Sequence, residues 1–197
     1  MLYPRHDDKG KLVTDAQMVC TREHFMTNHR IVFLSGVLGG ETETHNSLMA
    51  LDSISDKPIK LVITSPGGEL DSAFLMYDTI KLMRSPVLTL GRYCASAAAL
   101  LLAVGQERYL MPHSKVMIHL PSGQMGGDAR DWEIQSREMK KYKDELVDLF
   151  RECGVKKSKR SILSDMDRDM WMTPAQAIEY GLADKIISKQ EMEKWVT

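Results

Sequence analysis

Three short runs of β-branched and aromatic residues constrain this chain most: Ile31-Val32-Phe33-Leu34, Ile59-Lys60-Leu61-Val62-Ile63-Thr64 and Val87-Leu88-Thr89-Leu90. Each is almost continuously apolar and is followed closely by glycine or proline, the pattern of a buried strand. Between them lie stretches with helical spacing. Thr42–Ser53 carries Leu48, Met49 and Leu51 and is broken by Lys57-Pro58; Leu70, Phe74, Met76, Tyr77, Ile80 and Met83 mark a second helix, ended by Pro86. Buried strands alternating with helices predict βαβ units and a mainly parallel, helix-covered sheet, an α/β fold. Sites in such sheets form beyond the carboxyl ends of the strands, so the residues after each run carry the most information.

The rest of the chain extends this pattern. A small-residue stretch after Gly91 leads into a helix over Ser96–Val104. Arg108–Met111 and Val116–His119 read as two short strands separated by a turn at Pro112-His113-Ser114. Residues 128–152 form the longest helical pattern, rich in Glu and Lys, with a thin apolar stripe at Trp132, Met139, Tyr142, Leu146 and Phe150. Such a helix reaches to a neighbour or lies across a surface. Pro174–Tyr180 reads as a helix with proline in its first turn, followed by Gly181 and a strand at Asp184–Ile187. Residues 1–30 read as a polar N-terminal arm with one short helix near Asp15–Phe25, and residues 31–197 as a single domain.

Composition excludes several classes. With 26 Lys+Arg against 27 Asp+Glu, the net charge is −1, which disfavours holding nucleic acid or an anionic membrane by bulk charge. Cys20, Cys94 and Cys153 are odd in number, far apart and in no CxxC pair, so they read as reduced thiols rather than a disulfide framework or metal site. The opening MLYPRHDDKGK is no signal peptide. The longest apolar stretch, Ala95–Val104, falls far short of a spanning helix. The expectation is a soluble, cytoplasmic protein. The chain also has 14 Met, an adaptable core filler.

The chemistry-bearing residues follow the strands. Ser96 sits where a strand passes into a helix, a turn that can hold a serine hydroxyl exposed over a sheet edge. Alone, a Ser among alanines is more often a packing residue. His119 ends a strand, and imidazole is the side chain whose pKa suits proton shuttling near neutrality; His113, in the turn after Pro112, is the solvated competitor. A Ser–His pair needs an acid to fix the imidazole tautomer. Asp165, Asp167 and Asp169 are candidates, and spacing does not choose among them. Ser65-Pro66-Gly67-Gly68 is the strongest local signal. Two glycines at a strand end can turn backbone N–H groups toward a bound oxyanion, with the N–H of Ala97 as the second donor.

The strings Ser65-Pro66-Gly67-Gly68…Tyr77-Asp78-Thr79-Ile80, Ala95-Ser96, Val116-Met117-Ile118-His119-x-Pro121 and Asp167-Arg168-Asp169…Glu179-Tyr180-Gly181-Leu182-x-Asp184 together resemble ClpP, the proteolytic-subunit family of the Clp protease. The likeness runs from about Arg30 to Ile187. Ser96 to His119 is 23 residues and His119 to Asp169 is 50, close to the family's spacing. The resemblance implies a ClpP/crotonase-like spiral of βαβ units with a protruding handle helix at about 124–152. It implies a serine endopeptidase with Ser96 as nucleophile, His119 as general base, Asp169 as the third triad member, and Gly68 and Ala97 as oxyanion donors. Gly67, Glu69 and Leu70, with Pro121, Ser122 and Gly123, match the segments that hold an extended peptide by β-augmentation. Asp167 and Arg168 match a charged pair that bridges rings. The implied assembly is a homo-oligomeric barrel of two stacked heptameric rings that degrades unfolded polypeptides. A separate AAA+ unfoldase of the ClpX, ClpA or ClpC kind feeds it, residues 1–30 supply the axial gate, and neither cofactor nor metal takes part.

The chain departs from the family pattern at several places. Gly91 stands five residues before Ser96 instead of four, Ala97-Ala98 replaces Met-Gly, Ala73 replaces a helix glycine, and Ser122 replaces an apolar residue beside the peptide site. Lys60 and Val62 stand where the family often has aromatics of the unfoldase docking pocket. The alternatives are a divergent phage or accessory peptidase working with another partner, a crotonase-type acyl-CoA enzyme, which would not need the Ser–His–Asp set, and a non-enzymatic ring component.

Overall fold

The computed structural model describes residues 21–40, 42–123 and 126–196. Four strands, β1 (Ile31–Ser35), β2 (Ile59–Ser65), β3 (Val87–Ala95) and β4 (Glu107–Ile118), lie side by side in chain order and are all parallel. At the far edge β5 (Met170–Met172) pairs antiparallel with the end of β4, and β6 (Lys185–Ile186) pairs parallel with its beginning. The helices are α1 (Thr21–His29), α2 (Thr42–Ile54), α3 (Leu70–Leu82), α4 (Ala97–Ala103), α5 (Ala129–Glu152), α6 (Lys159–Asp165), α7 (Pro174–Tyr180) and α8 (Lys189–Val196). This is the mixed α/β fold that the strand–helix alternation predicts.

One face of the sheet carries the main core. Every residue of α4 is buried, and it packs with Met76 and Ile80 of α3 and Leu146 and Phe150 of α5. Leu100, Leu101 and Leu102 are fully enclosed. Each contributes about 2 kcal/mol by leaving water, which fixes α4 and with it the turn that precedes it. The other face carries a smaller cluster of Ile31, Val62, Leu90 and Tyr109 under Trp195 of α8 and Phe25 of α1. Here Lys60 Nζ donates to the carbonyls of Lys194 (3.2 Å) and Trp195 (2.7 Å) near the end of α8, a cation meeting the negative end of a helix.

Several predicted boundaries move. The third strand runs on from Leu90 to Ala95, and Ser96, the first residue of the predicted helix, is the N-cap of α4 and not a helical residue. The predicted turn at Pro112-His113-Ser114 is an irregularity within one continuous strand. Gly91 pairs with Leu110 and Tyr93 with Lys115, so Met111–Ser114 bulge opposite Arg92 alone, and Ser114 Oγ donates to the Gly91 carbonyl at 2.6 Å. The missing N–H of Pro112 costs no ladder bond in a bulge. The same Arg92 is the unpaired residue against β2, where Ile63 pairs with Gly91 and Thr64 with Tyr93. The extra residue between Gly91 and Ser96 thus falls in a stretch that already departs from regular pairing. The segments α6, β5 and α8 lie where no element is predicted. Of the expected helix near Asp15–Phe25, residues 15–20 lie outside the described residues, as do Cys20 and most of the N-terminal arm; within the described residues the helix covers Thr21–His29. Among the described residues, no helix is long and apolar enough to cross a membrane.

Candidate active site

Three neighbouring strands end together. β2 runs out at Ser65, β3 at Ala95 and β4 at Ile118, and the residues just beyond are Pro66-Gly67-Gly68, Ser96 and His119. The register brings them together: Ser65 pairs with Cys94, and Ala95 with Met117.

Ser96 turns the chain from strand to helix with φ 57° and ψ −129°, a backbone conformation unfavourable for a side chain with Cβ. Its N–H donates to Met117 O at 2.8 Å, and its carbonyl accepts from Ala99 N at 2.9 Å. With the backbone held at both sides, the hydroxyl projects from a sharp elbow. Ser96 Oγ lies 2.7 Å from His119 Nε2. Cys94, two residues earlier, points into the core; burial pushes its thiol well up, so little of it is present as thiolate.

A carboxylate approaches His119 from the far edge of the sheet. Ile118 pairs with Met170 in the antiparallel β4–β5 ladder, so Asp169 falls opposite His119. Leu120 N also donates to Met166 O at 2.8 Å, docking the end of α6 beside the histidine. Asp169 Oδ1 lies 3.8 Å from His119 Nδ1, an ion-pair separation longer than a hydrogen bond, with the Asp169 side chain 61% exposed. Asp165 is engaged elsewhere: it accepts from Lys157 Nζ (2.8 Å) and Tyr180 Oη (3.0 Å). Asp167 and Arg168 are exposed beside it.

The glycine pair closes the site from the β2 side. Ser65 Oγ accepts from Gly67 N at 3.0 Å and caps the turn. Gly67 has φ 91°, and a Cβ there would sit 2.7 Å from Ser96 Cβ and 3.0 Å from Ala97 N. Gly68 has φ 152° and bridges in parallel to Leu38; a Cβ there would collide with the Leu38 carbonyl. That bridge uses Leu38 N to Gly67 O (2.8 Å) and Glu69 N to Leu38 O (2.9 Å). In a parallel bridge the central residue's own N–H points away from its partner, so Gly68 N–H is left for the site.

A cleft of about 520 Å³ opens beside Ser96 and His119. Glu69, Leu70, Pro121 and Ser122 line it, while Gly67 lies against Ser96 and Gly123 against Met139. One detail differs: Leu70 is already the first residue of α3, so it offers the cleft a side chain and no strand edge. Sequence reasoning missed Ser65 as a capping group, Leu38 as the backing for Gly68, and Asp71, Met139 and Tyr142 as cleft residues. The thin apolar stripe on α5 was the available signal for Met139 and Tyr142.

The sequence profile described as Clp protease matches residues 15–190. The chain belongs to the Clp protease family. It is 37% identical over 196 residues to the ATP-dependent Clp protease proteolytic subunit 1 of Protochlamydia amoebophila (strain UWE25), covering 95% of this chain and 94% of that protein. The corresponding subunit 1 of Rhodopirellula baltica (strain DSM 10527 / NCIMB 13988 / SH1) is 36% identical over 178 residues, covering 87% and 78%. The ATP-dependent Clp protease proteolytic subunit of Carsonella ruddii (strain PV) is 37% identical over 177 residues, covering 87% and 88%. Membership makes the chain a hydrolase of the protease class, as the resemblance implies.

Proposed function

We propose that the chain is a serine endopeptidase subunit in which Ser96, His119 and Asp169 form the catalytic triad. The observation that carries this reading is the 2.7 Å Ser96–His119 contact at a strained strand-to-helix elbow, under a pair of glycines. Ser96 Oγ attacks the scissile carbonyl while His119 Nε2 takes its proton. The oxyanion accepts hydrogen bonds from Gly68 N–H and Ala97 N–H. His119 then protonates the leaving amine as the peptide C–N bond breaks, leaving an acyl ester on Ser96. Water, deprotonated by His119, cleaves that ester and restores the serine. Asp169 holds the imidazole tautomer and stabilises the imidazolium.

The substrates are unfolded polypeptides, cut inside a homo-oligomeric chamber of two stacked heptameric rings. Exposed Trp132 and Ile134 on α5 and exposed Asp167 and Arg168 support contacts between rings. The relatives are named ATP-dependent. The 197 residues contain no GxxxxGK[ST] loop, so ATP use falls to a separate AAA+ unfoldase.

The test is turnover of a short unstructured peptide by the purified chain. Wild type is expected to cleave it without ATP, and Ser96→Ala to show no turnover. Equal turnover by the variant contradicts the assignment. Sedimentation of the same samples should give a ring assembly; a stable monomer with full activity contradicts the chamber.

A further inference from the structure

The cleft beside Ser96 has two chemically different parts. Leu70, Met117, Met139 and Leu146 make an apolar wall, and Asp71 and Tyr142 close the space between α3 and α5. Tyr142 Oη donates to Asp71 Oδ1 at 2.6 Å, which orients the carboxylate and leaves its other oxygen open. Among the described residues Asp71 has no ion-pair partner, and no Lys or Arg lines the cleft. The one lining group able to carry positive charge, His119, is committed to Ser96. Glu69 is turned aside: its carboxylate accepts from Ser72 Oγ at 3.4 Å and lies near Gly39. Glu145 adds negative charge around Tyr142, while Glu138 is paired with Lys141 at 2.7 Å; the Tyr142 phenol is held above its usual range first by the bond to Asp71 and then by burial.

We infer that the cleft selects, on the acyl side of the scissile bond, a long side chain with an apolar stem and a cationic end, for which Asp71 is the counter-ion. The methylenes of lysine or arginine lie along the Leu70–Met117–Met139 wall while the charged head meets the free oxygen of Asp71. An acidic side chain in the same place meets only like charge. The inference rests on the reading of Ser96 as nucleophile.

The test separates the two claims. A plain alkyl fluorophosphonate reports whether Ser96 is reactive at all. A matched series of peptidyl diphenylphosphonates with lysine, leucine or glutamate analogues next to phosphorus then reports the subsite, through second-order rates of Ser96 labelling in the full chain. The lysine analogue is expected to react faster than the leucine one, and the lysine-to-glutamate ratio to reach about tenfold or more, shrinking in high salt. Asp71→Asn should lower the lysine-to-leucine ratio about tenfold, and Asp71→Lys should turn preference toward glutamate. A lysine analogue no faster than leucine in wild type, or ratios that neither variant moves, overturns the subsite while leaving Ser96 as nucleophile. Failure of the plain fluorophosphonate to label Ser96 overturns both.

Discussion

The two ends of β4 are built to opposite rules. At its start Arg108 is nearly enclosed, its side chain 12% exposed, and its donors are matched. Nε and Nη2 bond to Asp184 at 3.1 and 2.5 Å, and Nη1 to the Cys153 and Gly181 carbonyls at 2.6 and 2.8 Å. One guanidinium thus ties the ends of α5 and α7 to the approach to β6. At the other end His119 meets a serine in a strained conformation, and the acid facing it stands 3.8 Å away and largely in water. Fork-shaped contacts hold the fold at one end, while strain and a loose ion pair stand at the other, where the proposed chemistry needs reactive groups that tighten around substrate.

Substitutions at the two ends of β4 should have opposite effects. The largest effect expected is from Ser96→Gly or His119→Ala, each lowering turnover on the order of a millionfold. Because glycine relieves the positive φ, Ser96→Gly should also raise stability by about 1–2 kcal/mol in denaturant unfolding. A loss of stability there would show that Ser96 is part of the structural framework. Next, Gly68→Ala should cut kcat by about a hundredfold or more, since the Cβ displaces the turn from Leu38 and misaims the N–H donor; unchanged kcat would remove Gly68 from the oxyanion site.

At the opposite end Arg108→Ala should cost about 2–4 kcal/mol, because it leaves two carbonyls without their partner and the Asp184 carboxylate with the backbone N–H of residue 108 but no guanidinium. Turnover per labelled Ser96 should stay near wild type. The smallest effect is on acid stability. Burial alone would raise the Asp184 carboxyl, but hydrogen bonds and charge from Arg108 outweigh it and hold it below its usual range. A carboxylate held low adds stability above its unfolded pKa and loses it as pH falls through the folded one. Below about pH 4 the gap in melting temperature between wild type and Arg108→Ala should therefore narrow, down to the share carried by the Cys153 and Gly181 carbonyls; a gap that stays constant would show that the Asp184 ion pair adds no stability.

Much of this was legible in the sequence. The three apolar runs mark β1 to β3, and the Gly-Gly turn, Ser96 and His119 stand just past strand ends because parallel sheets gather those ends on one side. What was hidden depends on pairing between distant segments. Asp169 could not be singled out from Asp165 and Asp167 by spacing, since its place opposite His119 depends on the antiparallel register of β5 on β4, and Asp165 is occupied by Lys157 and Tyr180. β5, only Met170-Trp171-Met172, is too short to show a period, and its Met172, like Met166, is a buried core residue. That places two of the 14 methionines as plain packing. α8 did carry a signal that was passed over: Ser188 and Glu191 bond each other's backbone N–H, the capping box that opens a helix.

The most direct test is peptide mapping by mass spectrometry after reaction with diisopropyl fluorophosphonate, in wild type and in His119→Ala. The expected result is a single adduct on Ser96 that forms at least about a hundredfold more slowly in the variant. An adduct on another serine, or equal rates in the two proteins, would contradict the pairing of Ser96 with His119.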